Sequence, residues 1–360
     1  MARELATIQR IRELNPIPNA DTIEVASILG WKVVVRKGEF QVGDLVVYCE
    51  IDSILPDKPE FEFLKPRKFR IRTVRLRGQI SQGIAFPLSI LPQNKSESSS
   101  TETVDRLTTN LVQTGFEEGL DVTELLDIEK YMPAIPTYLA GTVKGTFPSF
   151  VPKTDETRVQ LLQTLLTRYK GTKCYVSEKV DGCSVTYYFK NEFGVCSRNL
   201  ELKETEENLL WKQAKLNNIE SLLRLAFDKY GYHYAIQCEL IGQGIQKNNL
   251  KIEGNKILCF NVFNIDKYEY LNFEDFINFC KELEIETVSI LETDYLLDDN
   301  IDNLVEKSKG FSVLNSKIYR EGIVIRPLKE IIDLQMSSLF TNGRVSFKVV
   351  NPDYLLKYEE

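Results

Sequence analysis

Glu178-Lys179-Val180-Asp181-Gly182 is the stretch on which the reading of this chain turns. A strand-like run over residues 174–180 leads into it and another over 184–189 leads out, so the lysine stands at a strand end with a carboxylate on each side. Lys-x-Asp-Gly alone is common enough to be a β-turn with a surface lysine. Four further segments give it weight: 234–240, 256–263, 323–327 and 344–350 also read as strands. In the first, Tyr234, Ile236, Cys238 and Leu240 share one face and leave Gln237 and Glu239 on the other. In the last, Val345, Phe347 and Val349 alternate with Arg344, Ser346 and Lys348. Each strand thus has an apolar side for a core and a polar side to line a cleft.

Between these strands the spacing predicts helices over 156–170, with Val159, Leu162, Leu165, Leu166 and Tyr169 in register, and over 206–230, stopped at Gly231. Long helices on strands of mixed order imply an α+β domain over 153–360. Residues 1–132 read differently. Short β-type runs such as Trp31-Lys32-Val33-Val34-Val35 and Leu45-Val46-Val47-Tyr48-Cys49, punctuated by Gly38 and Gly43, predict a small all-β barrel. A polar stretch at 93–110 is expected to be an insertion in it, and 133–152, with Pro133, Pro136, Pro148 and Pro152, a linker.

Composition narrows the chemistry. The chain has 360 residues, enough for two domains, and its 43% hydrophobic and 10% aromatic content is that of a globular protein. A net charge of −7 provides no global field for nucleic acid, and no apolar run approaches the ~20 residues of a membrane span. Seven cysteines without a CxxC pair, and no export signal at the start, suggest reduced thiols in an intracellular, cytoplasmic setting. There is one histidine, His233, which reads as structural, so Ser-His-Asp chemistry and His-rich metal clusters are excluded. What remains is chemistry on Lys, Arg, Asp and Glu.

Lys179-x-Asp181-Gly182, Ser197-Arg198-Asn199, Glu239-Leu240-Ile241-Gly242, Phe260-Asn261-Val262-Phe263-Asn264, Glu321-Gly322-Ile323-Val324-Ile325-Arg326 and Ser346-Phe347-Lys348-Val349 follow one another in this order. The series resembles the covalent nucleotidyltransferase superfamily of polynucleotide ligases and mRNA capping enzymes, and within it the ATP-dependent RNA ligases of the Deinococcus and Naegleria type. The resemblance implies a ligase adenylation fold after an N-terminal OB domain. It further implies that Lys179 attacks the α-phosphate of ATP to form lysyl-AMP, that the AMP passes to an RNA 5′-phosphate, and that a 3′-hydroxyl displaces it to seal the strand at a duplex or bridged nick. By the same resemblance Glu239 holds the ribose, Phe260 stacks on adenine, Arg198 contacts ribose or phosphate, and Lys348 holds the α-phosphate. Glu178 joins the nucleotide site and Arg158 orients the leaving pyrophosphate. Many relatives carry Lys-x-Lys in the last motif, where this chain has Ser346.

An ordinary lysine has on the order of 0.1% free amine near pH 7.4, and Asp181, Glu239 and Glu321 nearby favour the ammonium further. The arrangement makes sense with Mg²⁺ or Mn²⁺ held by those three carboxylates, directly or through water. In the first domain, residues 65–77 carry seven basic residues in thirteen and no acid. Lys68, Arg70 and Arg72 would line one face of a strand, and Arg75 and Arg77 extend it, forming a stripe for RNA phosphates. The segment from Asn15 through Asp21 is similar to the entry of tRNA-binding OB domains. DNA ligases and capping enzymes carry a further OB domain after the last motif. With about a dozen residues after Lys348, an RNA ligase is expected rather than a GTP-dependent capping enzyme, and the intact motif residues disfavour a decayed, non-catalytic RNA-binding protein.

Overall fold

The computed structural model describes residues 4–92, 117–131, 142–334 and 343–358. The polar insertion at 93–110 and the first part of the expected linker lie outside them. The chain divides into two compact units, Met1–Pro133 and Ala134–Glu360. Among the described residues no helix is long and apolar enough to cross a membrane.

The first unit is built on β1 (Ala6–Pro16), β2 (Ile23–Ile28), β3 (Trp31–Arg36) and β4 (Leu45–Cys49). Short strands follow: β5 (Ser53–Ile54), β6 (Val74–Leu76), β7 (Gln79–Ser81), β8 (Ile84–Pro87) and β9 (Glu129–Lys130). The main sheet has the order β3-β2-β1-β4-β8, all antiparallel. The first half of β1 pairs with β4 and the second half with β2, across an irregularity between Ile11 and Glu13. A strand that bends there curls the sheet into a half-barrel around Ile8, Ile11, Ile28, Trp31, Val33 and Val46, all fully buried.

Only the end of the expected basic strand is one: Val74–Leu76, with Arg75, pairs with β7, while the rest forms no strand. Pro59–Arg67 is a 3₁₀ helix, and Lys68 and Phe69 both take left-handed backbone conformations (φ 51° and 57°). Pro66 and these two residues break extended geometry, so the alternation of Lys68, Arg70 and Arg72 has no face to act on. Arg70 turns inward, 3.0 Å from Asp52 and 3.6 Å over the Tyr131 ring. Arg72 is half-buried, while Lys68, Arg75 and Arg77 are exposed.

The second unit holds two sheets. Its strands are β10 (Val143–Thr146), β11 (Thr157–Arg158), β12 (Lys173–Lys179), β13 (Cys183–Lys190), β14 (Glu192–Cys196) and β15 (Leu200–Leu202). They continue with β16 (Tyr234–Gly242), β17 (Asn255–Asn264), β18 (Glu269–Tyr270), β19 (Ile290–Leu296), β20 (Gly322–Pro327) and β21 (Phe347–Val350). The orders are β10-β15-β14-β13-β16-β17-β18 and β11-β21-β20-β12-β19. Helices Leu209–Leu216, Ile219–Tyr230 and Phe273–Glu282 bury Trp211, Leu223, Phe276 and Phe279 against the first sheet. Gln163–Arg168 and Ile301–Ser308 cover the second.

Three expectations change here. Residues 156–170 do not form one helix: Thr157–Arg158 pairs in parallel with β21, a 3₁₀ turn follows, and only Gln163–Arg168 is α-helical. The apolar spacing was real, since Val159, Leu162, Leu165 and Leu166 are all fully buried, but β-branched Thr157 joins a sheet edge instead. The helix over 206–230 is two helices, capped by Asn208 and separated at Asn218, whose left-handed backbone (φ 50°) interrupts the ladder. Part of the expected linker, Val143–Thr146, is an edge strand paired with β15.

Candidate active site

The Lys179 turn is where the chain leaves one sheet for the other. β12 ends at Lys179, paired with Gly322 of β20; β13 begins at Cys183, paired with Leu240 of β16. The crossing is tight: a Cβ on Gly182 would stand 2.4 Å from the carbonyl oxygen of Leu240, so only glycine fits. Gly322 is held the same way, 2.3 Å from the carbonyl of Val349. The two glycines let the strand ends that carry Lys179, Glu239, Glu321 and Lys348 converge.

They converge on a cleft of about 550 Å³, within the range of nucleotide-sized ligand sites. Glu178, Lys179, Asp181, Arg198, Glu239, Phe260, Glu321 and Lys348 all line it. The Lys179 Nζ donates to both carboxylate oxygens of Glu321 at 2.6 Å. Burial opposes charge on Lys179, but Glu321, Glu239 and Asp181 outweigh it and hold the amine above its usual pKa. Burial also drives Glu239 up to about 8, with Glu321 and Asp181 adding to it against the pull of Lys179. Glu321 is likewise raised, chiefly by burial. Lys348 moves the other way, down to about 7, through burial and the neighbouring cations Arg158 and Lys179. The site therefore holds one ammonium locked to a carboxylate and a second lysine poised to gain or lose its proton near neutrality.

Arg158 stands beside Lys348 in parallel register, on a strand rather than a helix. The Arg198 Nε donates to Asp155 at 2.9 Å, and the side chain is half exposed. Glu178 is buried; one of its oxygens accepts from the Val313 N–H at 2.9 Å and the other, Oε1, has no hydrogen-bond partner. Phe260 packs beside a small apolar cluster of Val180, Ile241, Leu250, Leu258, Val288 and Ile318.

Ser346 replaces the expected lysine by closing a buried network. Its Oγ donates to Glu156 Oε1 at 2.8 Å and accepts from Arg326 Nε at 2.8 Å. Arg326, 2% exposed, also donates to Glu156 at 2.8 Å and to the carbonyl of Phe260 at 3.1 Å, so the positive charge on this wall comes from the next strand. Arg344 repeats the pattern, donating to Glu330 and, at 3.0 Å, to Asn261 Oδ1. Two more residues escaped the sequence reading. The Tyr354 hydroxyl donates to Asp181 Oδ2 at 2.5 Å and Asn249 Nδ2 donates to the same oxygen at 3.1 Å. Neither has a periodicity or motif that ties it to Asp181; only the fold does so. His233 is structural, bonded to Asp266 and stacked 4.5 Å from Phe227.

Among the described residues no three acidic, imidazole or thiol side chains come together closely enough to hold a metal by themselves. Direct coordination by Asp181, Glu239 and Glu321 together is therefore not what the geometry offers. The donor set of Asp181, Glu239 and Glu321 is all oxygen, which suits a hydrated hard divalent ion.

A strand-end lysine bonded to a carboxylate, with a second lysine in the same two-sheet cleft, is the arrangement of a nucleotidyltransferase domain. An RNA ligase family model matches residues 172–350, and an OB-fold domain model matches residues 5–88. The chain is also similar to solved structures of Naegleria gruberi RNA ligase. A mutant with AMP and Mn is 34% identical, with 99% of each chain covered and a TM-score of 0.82. The structure with PPi is 34% identical over 99% of each chain (TM-score 0.82), and a mutant with ATP and Mn is 34% identical over 99% of each (TM-score 0.81). None of the curated proteins compared with the chain matches it. The chain belongs to the RNA ligase family.

Proposed function

We infer that this protein is an ATP-dependent RNA ligase that seals 3′-hydroxyl and 5′-phosphate ends, held together by a complementary strand. The observation that carries this is the Lys179–Glu321 pair at 2.6 Å on the floor of a cleft that also presents Lys348. In the first step Lys179 passes a proton to Glu321 along their 2.6 Å hydrogen bond, and its amine attacks the α-phosphorus of ATP. The P–N bond forms as the bond to pyrophosphate breaks. Lys348 holds the α-phosphate oxygens, taking up a proton as charge gathers there. Arg158, beside Lys348, faces the departing pyrophosphate. The adenylate then passes from Lys179 to the RNA 5′-phosphate oxygen, and a 3′-hydroxyl attacks that phosphate and expels AMP.

The base platform and its selectivity come from opposite sides of the cleft. Phe260 offers a ring face to adenine, Glu239 and Arg198 reach the ribose, and the unpartnered Oε1 of Glu178 accepts from an exocyclic amine. Guanine would present a carbonyl there, so ATP is favoured over GTP. Asp181, Glu239 and Glu321 would hold Mg²⁺ or Mn²⁺ through its water ligands; when bound, the ion favours neutral lysine and screens the α-phosphate. In the first unit, exposed Lys68, Arg75 and Arg77 meet RNA phosphates, while Arg70 belongs to the Asp52 pair.

The test is incubation with α-labelled ATP and metal, denaturation, and detection of label on the protein. Wild type takes up label, Lys179→Ala does not, and Lys179→Ala still joins pre-adenylated RNA ends. Label from GTP alone, or from neither nucleotide, overturns the reading. Matched nicks test the substrate: equal sealing of an all-DNA nick refutes RNA specificity, and equal joining of unpaired ends refutes the bridging strand.

A further inference from the structure

A run of rings and one cation leads out of the cleft, and beyond Tyr354, which holds Asp181, it has no part in the adenylation chemistry above. It starts at Tyr354, whose ring lies 4.9 Å from that of Tyr358, a cleft-lining residue. Lys357 spans the next gap, its Nζ 5.2 Å from the Tyr358 ring and 5.0 Å from the Tyr319 ring. Tyr319 stacks on Phe311 at 5.1 Å with the planes 12° apart. Phe311 is 52% exposed and Val313, two residues on, 62%, so the run ends on open surface.

The segment that carries the pair is not slack. Ser312 N–H donates to the carbonyl of Ile318 at 2.8 Å, Val313 N–H to Glu178, Asn315 Nδ2 to the carbonyl of Leu250 at 3.0 Å, and Arg320 Nε to the carbonyl of Lys309 at 3.1 Å. Phe311, a large aromatic side chain left in water on a braced loop whose far end, Tyr319, stands two residues before Glu321, contributes little to the core. Its charge surroundings select among ligands. Residues 309–320 contain Lys309, Lys317 and Arg320 and no acid; Lys309 pairs with Glu306 and Arg320 braces the loop, so Lys317 and the nearby Lys357 carry the charge toward a ligand. Exposed rings with interleaved cations are what a flexible nucleic-acid strand needs: bases stack on the rings while phosphates meet the cations.

We propose that Phe311, Tyr319, Lys357 and Lys317 form a landing surface for one RNA strand where it leaves the reacting end, with a base stacked on the Phe311–Tyr319 pair and the backbone along the lysines. The proposal rests on the RNA ligase reading and adds the strand's exit path to it. Continuity with the cleft and the local positive charge favour RNA over a protein partner or a second copy of the chain.

The experiment measures affinity for a 5′-phosphorylated single-stranded RNA oligonucleotide by fluorescence anisotropy, at several salt concentrations, with full-length protein. Phe311→Ala should weaken binding on the order of tenfold and Phe311→Trp should restore it, because stacking needs a ring and not merely an apolar group. Lys357→Gln should reduce the slope of log affinity against log salt by about 0.7, the share of one single-strand phosphate contact. Binding by Phe311→Ala within twofold of wild type overturns the proposal, as does a Trp variant as weak as the Ala variant. If Phe311→Ala does not fold, the Lys357→Gln slope decides, and an unchanged slope refutes. A wild-type dimer that Phe311→Ala dissociates while RNA affinity stays constant also refutes it, in favour of a copy-to-copy contact. Wild type that takes ATP label but binds no oligonucleotide defeats this surface alone, whereas wild type that takes no label defeats the ligase reading itself.

Discussion

Raising the pH from about 7.5 to about 9 should weaken binding of an unreactive ATP analogue, methylene-bridged between the α and β phosphates, by about 25-fold. The reasoning starts from Lys348, whose pKa burial and the cations Arg158 and Lys179 bring down to about 7. Only the ammonium makes a strong contact to phosphate, so each binding event must protonate the fraction that is neutral. With a pKa of about 7, the free enzyme carries about one charged Lys348 in four at pH 7.5 and about one in a hundred at pH 9. The ratio costs about 1.9 kcal/mol of apparent affinity, provided bound phosphate holds the lysine charged throughout. Calorimetric titration in chelator, in two buffers of different ionisation enthalpy, reads both the affinity and the protons taken up. About 0.9 proton should be absorbed per site at pH 8. Lys348→Met should bind weakly with little uptake, and any slope it keeps above pH 8 belongs to ionisation of Glu239. Equal proton uptake by wild type and Lys348→Met would refute the reasoning.

Glu239→Gln should raise the thermal midpoint by a few degrees at pH 8 and much less at pH 5. A carboxyl raised to about 8 in the folded chain loses stability as pH climbs from its unfolded value toward 8, since the unfolded chain ionises first, and glutamine removes that loss. Gly182→Ala forces a methyl to 2.4 Å from the Leu240 carbonyl, so the crossing must shift; ATP labelling should fall about a hundredfold in a protein that still melts cooperatively. Tyr354→Phe and Asn249→Ala each remove a donor from the same Asp181 oxygen and should each lower the melting midpoint. Their double mutant should fall short of or exceed the sum, since neighbours on one acceptor do not act independently, and strict additivity would argue against a shared site.

The legibility of this fold followed the range of the forces involved. Strand periodicity is local, so all six strands that frame the cleft could be read from the residues, and the cleft then gathered Lys179, Asp181, Glu239, Phe260, Glu321 and Lys348 as the motif order implied. Where two local preferences competed, the tertiary partner decided. Thr157 and Arg158 had helical spacing behind them but found an open edge on β21. The basic run at 65–77 alternated on paper, yet Pro66 and two left-handed residues turned it, and Asp52 captured Arg70. Tyr354, Asn249 and Glu156 were beyond reach for another reason. Each meets its partner across 68 or more residues of chain, and nothing in a single sequence marks such a pairing.

The two buried guanidiniums have a mechanical consequence. Arg326 on β20 and Arg344, in the segment leading into β21, both grip β17, at Phe260 and Asn261. Sliding one wall of the cleft past the other would rupture two charged networks at once, so the seam resists shear between the walls. On the proposed reading, the spacing between Phe260 and Lys348 is thereby set before ATP arrives, and the ordering entropy falls on folding instead of on catalysis.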